Sequence, residues 1–298
     1  MNRISLSLVA ISLLGYGCQS IAPQQDLSSN PPFDSLFSGA TAIRTISEPE
    51  MVEISGLVAS RQYPGYLWVH NDSGDEPRLF CLDDQGNLVG IFQVEGIALR
   101  DWEDITIGLG ADSVWYLYIG EIGDNAAIHD ELYIHQIVEP DPTQPGPVPV
   151  AGTMSFVYPD GARDAETLMH DPVTDELWVV SKREDRVAIY HLGAFTTSHI
   201  TADKASFTLP FTLAVAGDIS PAGDEILIKK YDTVYYWSRE PAQSILEVLE
   251  QTPKYLIYQE EPQGESIAWA EDSMGYYTLS EMRNEVTPVL YYHRRLDE

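Results

Sequence analysis

The sequence predicts an all-β protein with the fold of a β-propeller. Short runs rich in β-branched and aromatic residues recur along the chain and end at Gly, Pro or Asp turns, as strands do. No amphipathic pattern with a 3.6-residue period is sustained, which argues against a helical fold. Instead, an acidic residue, an apolar strand, a turn and a second apolar strand recur as one unit. The units start at Glu53, Glu103, Glu166, Asp218 and Glu265.

These starts are spaced by about 50 to 60 residues, close to the roughly 40–50-residue repeat of four-stranded propeller blades. We therefore expect five blades of four strands, with six blades as the alternative. The last unit lacks an outer strand, and a short strand predicted over 41–47 can supply it. Such closure would hide strand edges that otherwise favour aggregation. The predicted propeller domain spans residues 41–298.

Each unit continues after its first strand with a returning second strand and two outer strands. The second strands are predicted over 66–72, 115–119, 176–183, 225–230 and 275–281. The third and outer strands are predicted over 79–82, 88–94, 132–138, 153–158, 187–192, 205–209, 233–237, 254–258 and 288–294. The longest unit carries a proline-rich loop over 140–149, and residues 244–251 are expected to form a helical turn.

The N-terminus has the features of a bacterial lipoprotein signal. Arg3 precedes an apolar run over 4–14 that is too short to span a bilayer. The sequence Leu-Leu-Gly-Tyr-Gly-Cys that ends at Cys18 resembles the lipobox, although Gly15 replaces the usual leucine. The resemblance implies a signal peptide over 1–17, acylation of Cys18, and an outer-membrane lipoprotein on the periplasmic or surface face. An ordinary cleaved signal with an incidental cysteine is the alternative.

Residues 18–40 are rich in Gln, Ser, Pro and Asp and are predicted to be a flexible tether between lipid and domain. The chain has 46 acidic and 17 basic residues among 298, a formal net charge of −29. Nucleic acid is therefore excluded as a partner, because phosphate binding needs clustered Lys and Arg. The membrane is expected to be contacted through the lipid anchor only. A surface adapted to salty surroundings would also explain the charge.

The propeller geometry predicts a metal site. The start of a blade's innermost strand and the end of its second strand meet on one face, so acidic residues distant in sequence collect there. Carboxylate and amide oxygens suit Ca²⁺, which takes six to eight oxygen ligands. The candidate ligands are Glu53, Asp72, Glu103, Asp104, Glu121, Asp124, Asn125, Glu166, Asp218 and Glu265.

Cations at the ends of the later second strands predict an anion-binding zone on the same face. The candidates are Lys182, Arg183, Lys230 and Arg283. A purely structural alternative stays open: the acidic residues could bind backbone amides of the next blade, with the Lys and Arg as their ion-pair partners. The sequence has no Gly-x-Ser-x-Gly nucleophile elbow and no histidine pair at the spacing of a zinc site.

Several segments resemble secreted bacterial β-propellers of the phytase-like and lactonase-like group, and most of all a largely uncharacterised lipoprotein and secreted family. They are the E-D-I-T-I-G corner over 103–108, Y-I-G-E-I-G-D-N over 118–125, R-D-A-E-T-L over 163–168 and G-E-S-I-A over 264–268. The family supplies no firm activity. In phytase-like relatives, calcium bridged by carboxylates holds phosphate, and here this would map onto the acidic corners.

The sequence thus predicts an envelope-anchored lipoprotein that binds a ligand or partner through an acidic face. A glycan, a phosphate ester or an envelope protein would suit it. The alternative is a calcium-dependent hydrolase of phosphoesterase or lactonase type, with metal-bound water as the nucleophile. A purely structural envelope protein is a third hypothesis.

Overall fold

The computed structural model describes residues 33–296. The signal peptide predicted over 1–17, Cys18 and most of the predicted tether lie outside these residues. The strands are β1 Thr41–Thr45, β2 Ile54–Ala59, β3 Tyr66–Asn71, β4 Arg78–Asp83, β5 Leu88–Glu95, β6 Asp104–Leu109, β7 Trp115–Glu121, β8 Leu132–Val138, β9 Pro147–Val157, β10 Ala165–Asp171, β11 Glu176–Ser181, β12 Ala188–Gly193, β13 His199–Thr201, β14 Asp203–Thr208, β15 Ala214–Ile219, β16 Glu225–Lys230, β17 Val234–Ser238, β18 Lys254–Leu256, β19 Gly264–Trp269, β20 Gly275–Ser280 and β21 Val289–Arg294. A short helix, α1, spans Ile245–Leu249.

The strands form a β-propeller, as predicted. Three sheets have four strands each, in the orders β10-β11-β12-β14, β15-β16-β17-β18 and β1-β21-β20-β19. A fourth, larger sheet runs from β2 through β5 and β9 to β6. The five strands at the inner ends of these sheets, β2, β6, β10, β15 and β19, contact one another in a closed ring. We call them the central strands.

The larger sheet joins two predicted units through their outer strands. Strand β5 pairs in parallel with the first residues of β9, Gln93 opposite Pro147 and Glu95 opposite Pro149. The loop predicted over 140–149 is therefore shorter than expected. Proline lacks an N–H group, but Val148 lies between the two prolines and keeps its own, so the segment can extend a sheet edge. That this shared sheet consists of two blades, which would make five blades in all, stays a prediction.

The N-terminal strand closes the ring as predicted, because β1 pairs antiparallel with β21. The packed structure begins earlier than residue 41, however. The Phe37 side chain, only 1% exposed, lies 5.1 Å from the Tyr276 ring and 5.8 Å from the Trp269 ring, measured between centroids. Residues 33–40, which composition assigned to the tether, therefore include part of the core. One buried aromatic ring outweighs the polar residues around it.

Apolar side chains fill the spaces between adjacent sheets. The first and last sheets share a buried cluster that includes Leu57, Val69, Ala268 and Leu290. The helical turn expected over 244–251 is present as α1, and Ser244 forms a reciprocal capping box with Glu247 at its start. Among residues 33–296, no helix is long and apolar enough to cross a membrane.

Candidate functional site

Four of the five predicted acidic starts lie at the beginning of a central strand, and the fifth does not. Glu53 and Glu103 directly precede β2 and β6, and Glu166 and Glu265 are the second residues of β10 and β19. Asp218 was expected to start its strand, but β15 begins at Ala214, so Asp218 lies one residue before the end of β15. The expectation was wrong because an apolar run precedes Asp218 and belongs to the same strand.

Asp218 and Asp104 have carboxylates already bound by backbone amides. The Asp104 oxygens accept from the N–H of Ile105 at 2.9 Å and of Leu168, on the next central strand, at 2.9 Å. Asp218 accepts at 2.8 Å from its neighbour Ile219 and at 2.8 Å from Trp269, the last residue of β19. Both carboxylates thus join adjacent central strands, which is the structural alternative stated above.

The remaining acids converge around Glu103. One oxygen each of Glu103, Asp164 and Glu166 lies within 4.8 Å of one oxygen of the other two, and all three residues are buried. The Glu103 Oε1 and Glu166 Oε2 atoms are buried without a hydrogen-bond partner in the described part of the chain. Buried polar atoms without partners are costly, so these two oxygens are suited to a ligand that the protein itself does not provide.

A second group shares Glu103. Oxygens of Asp72, Asp101 and Glu103 also lie within 4.8 Å of one another, and Asp72 and Asp101 are only half-buried. Gly123 makes this approach possible. A Cβ atom at Gly123 would lie 2.2 Å from Glu103 Oε1 and 2.4 Å from Asp101 Oδ2, well inside contact distance. We call Asp72, Asp101, Glu103, Asp164 and Glu166 the acid cluster.

One cation and one hydroxyl group also border the acid cluster. The Lys182 ammonium is 5% exposed, pairs with Glu166 and lies 3.8 Å from Glu265 Oε1. The Tyr231 hydroxyl donates to Glu265 Oε1 at 2.5 Å. The Glu281 carboxyl contacts the Glu265 carboxyl, and this pair borders the acid cluster.

The carboxyl groups raise one another's pKa. Burial, together with the nearby charges of Asp101 and Glu265, raises the pKa of Asp72 to about 7. Burial, followed by the charges of Asp72 and Asp101, holds the pKa of Glu103 well above its usual range. Burial and the contact with Glu265 raise the pKa of Glu281 to about 10. A bound divalent cation would relieve this repulsion, since it favours the charged carboxylates.

Three other predicted ligands have contacts outside the acid cluster. Glu121 lies 3.6 Å from the Arg100 guanidinium and 3.5 Å from His135 Nε2. The Asp124 carboxylate accepts from the backbone N–H of residues 128 and 129, which fixes its own loop. The Asn125 side-chain oxygen accepts from Arg183. Glu53 is exposed at the edge of the face, where its charge contributes to the raised pKa of Glu281.

The four predicted anion-binding cations differ in what they contact. Lys182 is buried between carboxylates. The Arg183 side chain is 47% exposed and places Nε 2.5 Å from Asp164 Oδ2. Lys230 lies 3.3 Å from Asp232. Arg283 is exposed beside Tyr231 and forms no ion pair within residues 33–296. Arg183 and Arg283 are thus the two that present charge to solvent on this face.

Sequence reasoning missed three residues of the site, Asp101, Asp164 and Tyr231, and it placed Glu281 on this face, at the end of a second strand, without making it a candidate ligand. Asp101 and Asp164 lie two residues before Glu103 and Glu166, in the loops that lead into β6 and β10. The recurring spacing Asp-x-Glu in Asp101-Trp-Glu103 and Asp164-Ala-Glu166 is a signal that could have found both. Tyr231 follows β16 in a turn, and nothing in its sequence context marks it.

No family model matches the chain, and no curated protein matches it. Among solved structures, a luciferin-regenerating enzyme is similar over 87% of this chain and 96% of its own, at 13% identity and a TM-score of 0.47. Hydrazine synthase of Kuenenia stuttgartiensis is similar over 79% of this chain and 58% of its own, at 12% identity and a TM-score of 0.42. Both neighbours have β-propeller-like folds, and similarity of this degree carries no information on activity.

Proposed function

We propose that the acid cluster binds a divalent cation and that the protein uses this ion to hold an oxygen-rich ligand. The observation that carries the proposal is the position of Glu103. It belongs to both groups of converging carboxylates, and its Oε1 is buried without a protein partner. In the described part of the chain, the cations paired with the acid cluster are Lys182, with Glu166, and Arg183, with Asp164.

Ca²⁺ is the ion that the ligand chemistry favours. The acid cluster offers carboxylate oxygens only, and Ca²⁺ accepts six to eight oxygens in flexible geometry. Zn²⁺ would call for histidine or thiolate ligands, and neither is among the converging groups found in residues 33–296. The half-buried Asp72 and Asp101 mark the side on which an incoming ligand could reach the ion.

Binding, rather than catalysis, is the function we infer first. Arg183 and Arg283 present charge on the same face, so an anionic group of a glycan, a phosphate ester or an envelope protein could contact both the ion and a guanidinium. The protein has a net charge of −29 and so repels anions overall. The bound cation would supply the local positive charge that attracts such a group.

The test is a calcium titration followed by calorimetry and by the midpoint of thermal unfolding. We expect Ca²⁺ to raise the unfolding temperature of the unchanged protein, because an ion that binds only the folded state stabilises it. Glu103→Gln and Gly123→Ala should abolish this rise, the second by filling the space between Glu103 and Asp101. Glu95→Gln, an exposed acid outside the site, is the matched control. No response at millimolar Ca²⁺ would refute the proposal.

A calcium-dependent hydrolase is the second candidate. The observation that favours it is the half-buried Asp72–Asp101 side of the acid cluster, where an ion could hold both a substrate oxygen and a water molecule. Turnover of phosphate esters or lactones that needs Ca²⁺ and is lost in Glu103→Gln would establish it. Calcium binding without turnover would leave the binding function.

We also propose that Cys18 anchors the protein to the outer membrane. The support is the lipobox-like sequence that ends at Cys18, and several acyl chains there would give stable anchoring. Labelled palmitate should enter the unchanged protein and not Cys18→Ser, which should appear in the soluble fraction. Labelling of Cys18→Ser to the same extent would exclude Cys18 as the acylated residue.

A further inference from the structure

A small cavity lies at the opposite end of the central strands from the acid cluster. The acid cluster surrounds Glu103, which directly precedes β6, whereas the cavity is lined by Leu109, the last residue of β6. Three other central strands contribute at their ends. Arg61 follows β2, His170 lies near the end of β10, and Ile219 is the last residue of β15. The cavity is therefore separate from the acid cluster and does not depend on the function proposed for it.

One cation lines this cavity within residues 33–296, and it is Arg61. The side chain is half-buried, and its guanidinium forms no ion pair in that part of the chain. It donates to the carbonyl of Ala270 at 3.5 Å, which is long for a hydrogen bond. Because a guanidinium has five N–H donors, most of its hydrogen-bonding capacity is left for a ligand.

Three acids lie near Arg61, and each already accepts from other donors. Asp218 accepts from two backbone N–H groups, as described above. Glu139 accepts from a tryptophan indole at 2.9 Å and from a backbone N–H at 3.3 Å, and Glu271 accepts from a backbone N–H at 3.1 Å. Burial lowers the pKa of the Arg61 guanidinium even though these acids act in the opposite sense. The buried positive charge is thus only partly compensated, and a bound anion would stabilise it.

Apolar side chains form much of the remaining wall. They are Ile107, Leu109, Trp115, Pro172, Ile219 and Pro221. His170 also lines the cavity, but burial lowers the pKa of its imidazole, so it adds no second positive charge at neutral pH. The cavity volume is about 80 Å³. One water needs about 10–15 Å³ of such space, so roughly six water-sized groups fit.

We propose that this cavity binds a short aliphatic carboxylate of about the size of butyrate. The carboxylate pairs with the Arg61 guanidinium, whose planar fork of donors matches two carboxylate oxygens. The hydrocarbon chain lies against Ile107, Trp115 and Ile219, where its burial is favourable. A metal cation is a poor ligand here, because the charged side chain in the lining is itself positive. An inorganic anion would satisfy Arg61 but would leave the apolar wall without a partner.

Butyrate is the probe, and two ligands serve as controls. Butyramide has nearly the same shape without the charge, and formate has the charge without the chain. Calorimetry measures affinity, and the indole N–H signal of Trp115 in nitrogen-labelled protein, assigned through Trp115→Phe, reports where the ligand binds. We expect millimolar butyrate to bind and to shift the Trp115 signal. Both controls should bind at least about tenfold more weakly, because each lacks one of the two interactions.

Arg61→Gln should weaken butyrate binding by on the order of tenfold or more and leave the weak binding of butyramide unchanged. Arg44→Gln, an equal loss of charge at an exposed position of β1, is the matched control and should leave butyrate binding unchanged. Leu109→Glu tests the location separately. Leu109 is 45% exposed, so the fold should tolerate a carboxylate there, and its charge should repel butyrate. Val138→Glu, at a position that is 47% exposed and outside the cavity, is the control for this change.

Any of three results would overturn the proposal. They are no binding of butyrate at millimolar concentration, binding of formate or butyramide as tight as that of butyrate, and equal losses of affinity in Arg61→Gln and Arg44→Gln. If Arg61→Gln does not fold, the comparison of Leu109→Glu with Val138→Glu decides in its place, and equal affinities in those two variants would exclude the cavity as the site. Glu103→Gln, which tests the acid cluster, should leave butyrate binding unchanged, so failure here and failure of calcium binding are distinguishable.

Discussion

Two sets of buried carboxylates lie along the central strands and differ in what surrounds their oxygens. Asp104 and Asp218 each accept two backbone N–H bonds and connect one central strand to the next. In the acid cluster, Glu103 and Glu166 each keep one buried oxygen without a partner in residues 33–296, and other carboxylates lie within 4.8 Å of each of them. Both sets consist of carboxylic acids, and the supply of hydrogen-bond donors around them differs.

The comparison separates carboxylates that connect strands from those that we propose to bind an ion. A carboxyl group bound by two amides adds to the connection between strands, although burial still raises the pKa of both Asp104 and Asp218. A carboxylate crowded by others destabilises the fold until a cation arrives. The neighbouring groups decide which applies: backbone amides of the next central strand lie beside Asp104 and Asp218, and further acids lie beside Glu103.

The largest expected effect comes from removing the buried amine that pairs with Glu166. Lys182→Met should lower the free energy of unfolding by about 4 kcal/mol without Ca²⁺, because Glu166 and Glu265 lose their buried cation. Added Ca²⁺ should then recover more stability than it adds to the unchanged protein. Chemical denaturation with and without Ca²⁺ measures both effects.

Lys230→Met is the matched control for this change. Lys230 is half-exposed and pairs with the exposed Asp232, so its loss should cost less than about 1 kcal/mol. Equal destabilisation by the two substitutions would mean that the acid cluster does not depend on Lys182. The distinction between the two sets of carboxylates would then lose its electrostatic basis.

The sequence sufficed for the propeller and for most strands, because the five-fold recurrence of strand, turn and strand is a long-range pattern. The prediction failed where a few residues decided the structure of a segment against the pattern around them. The apolar run before Asp218 extended β15 backwards, and Phe37 brought residues of a polar segment into the core. The pairing of β5 with Pro147–Pro149 depends on a neighbour distant in sequence, which composition cannot show.

For the site, the sequence located the face but could not rank the acids on it. Asp104 and Glu103 are adjacent in sequence, and alternation along a strand sends their side chains to different surroundings. The donors to Asp104 come partly from Leu168, on another strand. The burial of Lys182 and its ion pair could likewise not be predicted, because the sequence alone does not distinguish an exposed cation from a buried one.

The next largest effect tests the comparison directly. Asp104→Ala should lower the free energy of unfolding by about 3 kcal/mol, because the N–H groups of Ile105 and Leu168 lose their acceptor in the interior. Calcium binding should persist in it. Glu103→Gln should do the reverse: it removes one charge from a crowded group, so stability without Ca²⁺ should rise slightly while calcium binding is lost.

Chemical denaturation and calcium calorimetry on Asp104→Ala and Glu103→Gln test both expectations. Asp218→Ala is the second example of the structural set and should behave like Asp104→Ala. Loss of calcium binding in either aspartate variant that still folds would place these residues in the ion site. A stability loss in Glu103→Gln as large as in Asp104→Ala would give Glu103 a structural role as well.

The smallest expected effect concerns the pH dependence of stability. It separates the contribution of a buried histidine from the contributions of the two sets of carboxylates. His293 is fully buried and stacks on Tyr276 at 4.4 Å, and burial lowers its pKa to about 4. The unfolded chain, with a histidine pKa of about 6.5, binds the proton more readily, so stability is lost as pH falls from about 6.5 to 4. Asp218 works in the opposite sense: burial raises its pKa to about 6, so its contribution is lost as pH rises from about 4 to 6.

His293→Phe keeps a flat aromatic ring against Tyr276 and removes the titration. We expect the loss of unfolding free energy between pH 6.5 and 4 to shrink by on the order of 2 kcal/mol, as measured by urea denaturation across that range. The control is His199→Phe, which removes an imidazole at an exposed position. If His293→Phe leaves the acid limb unchanged, the imidazole is not neutral and buried in solution. The acid limb would then have to be assigned to the carboxylates, whose two sets the preceding variants distinguish.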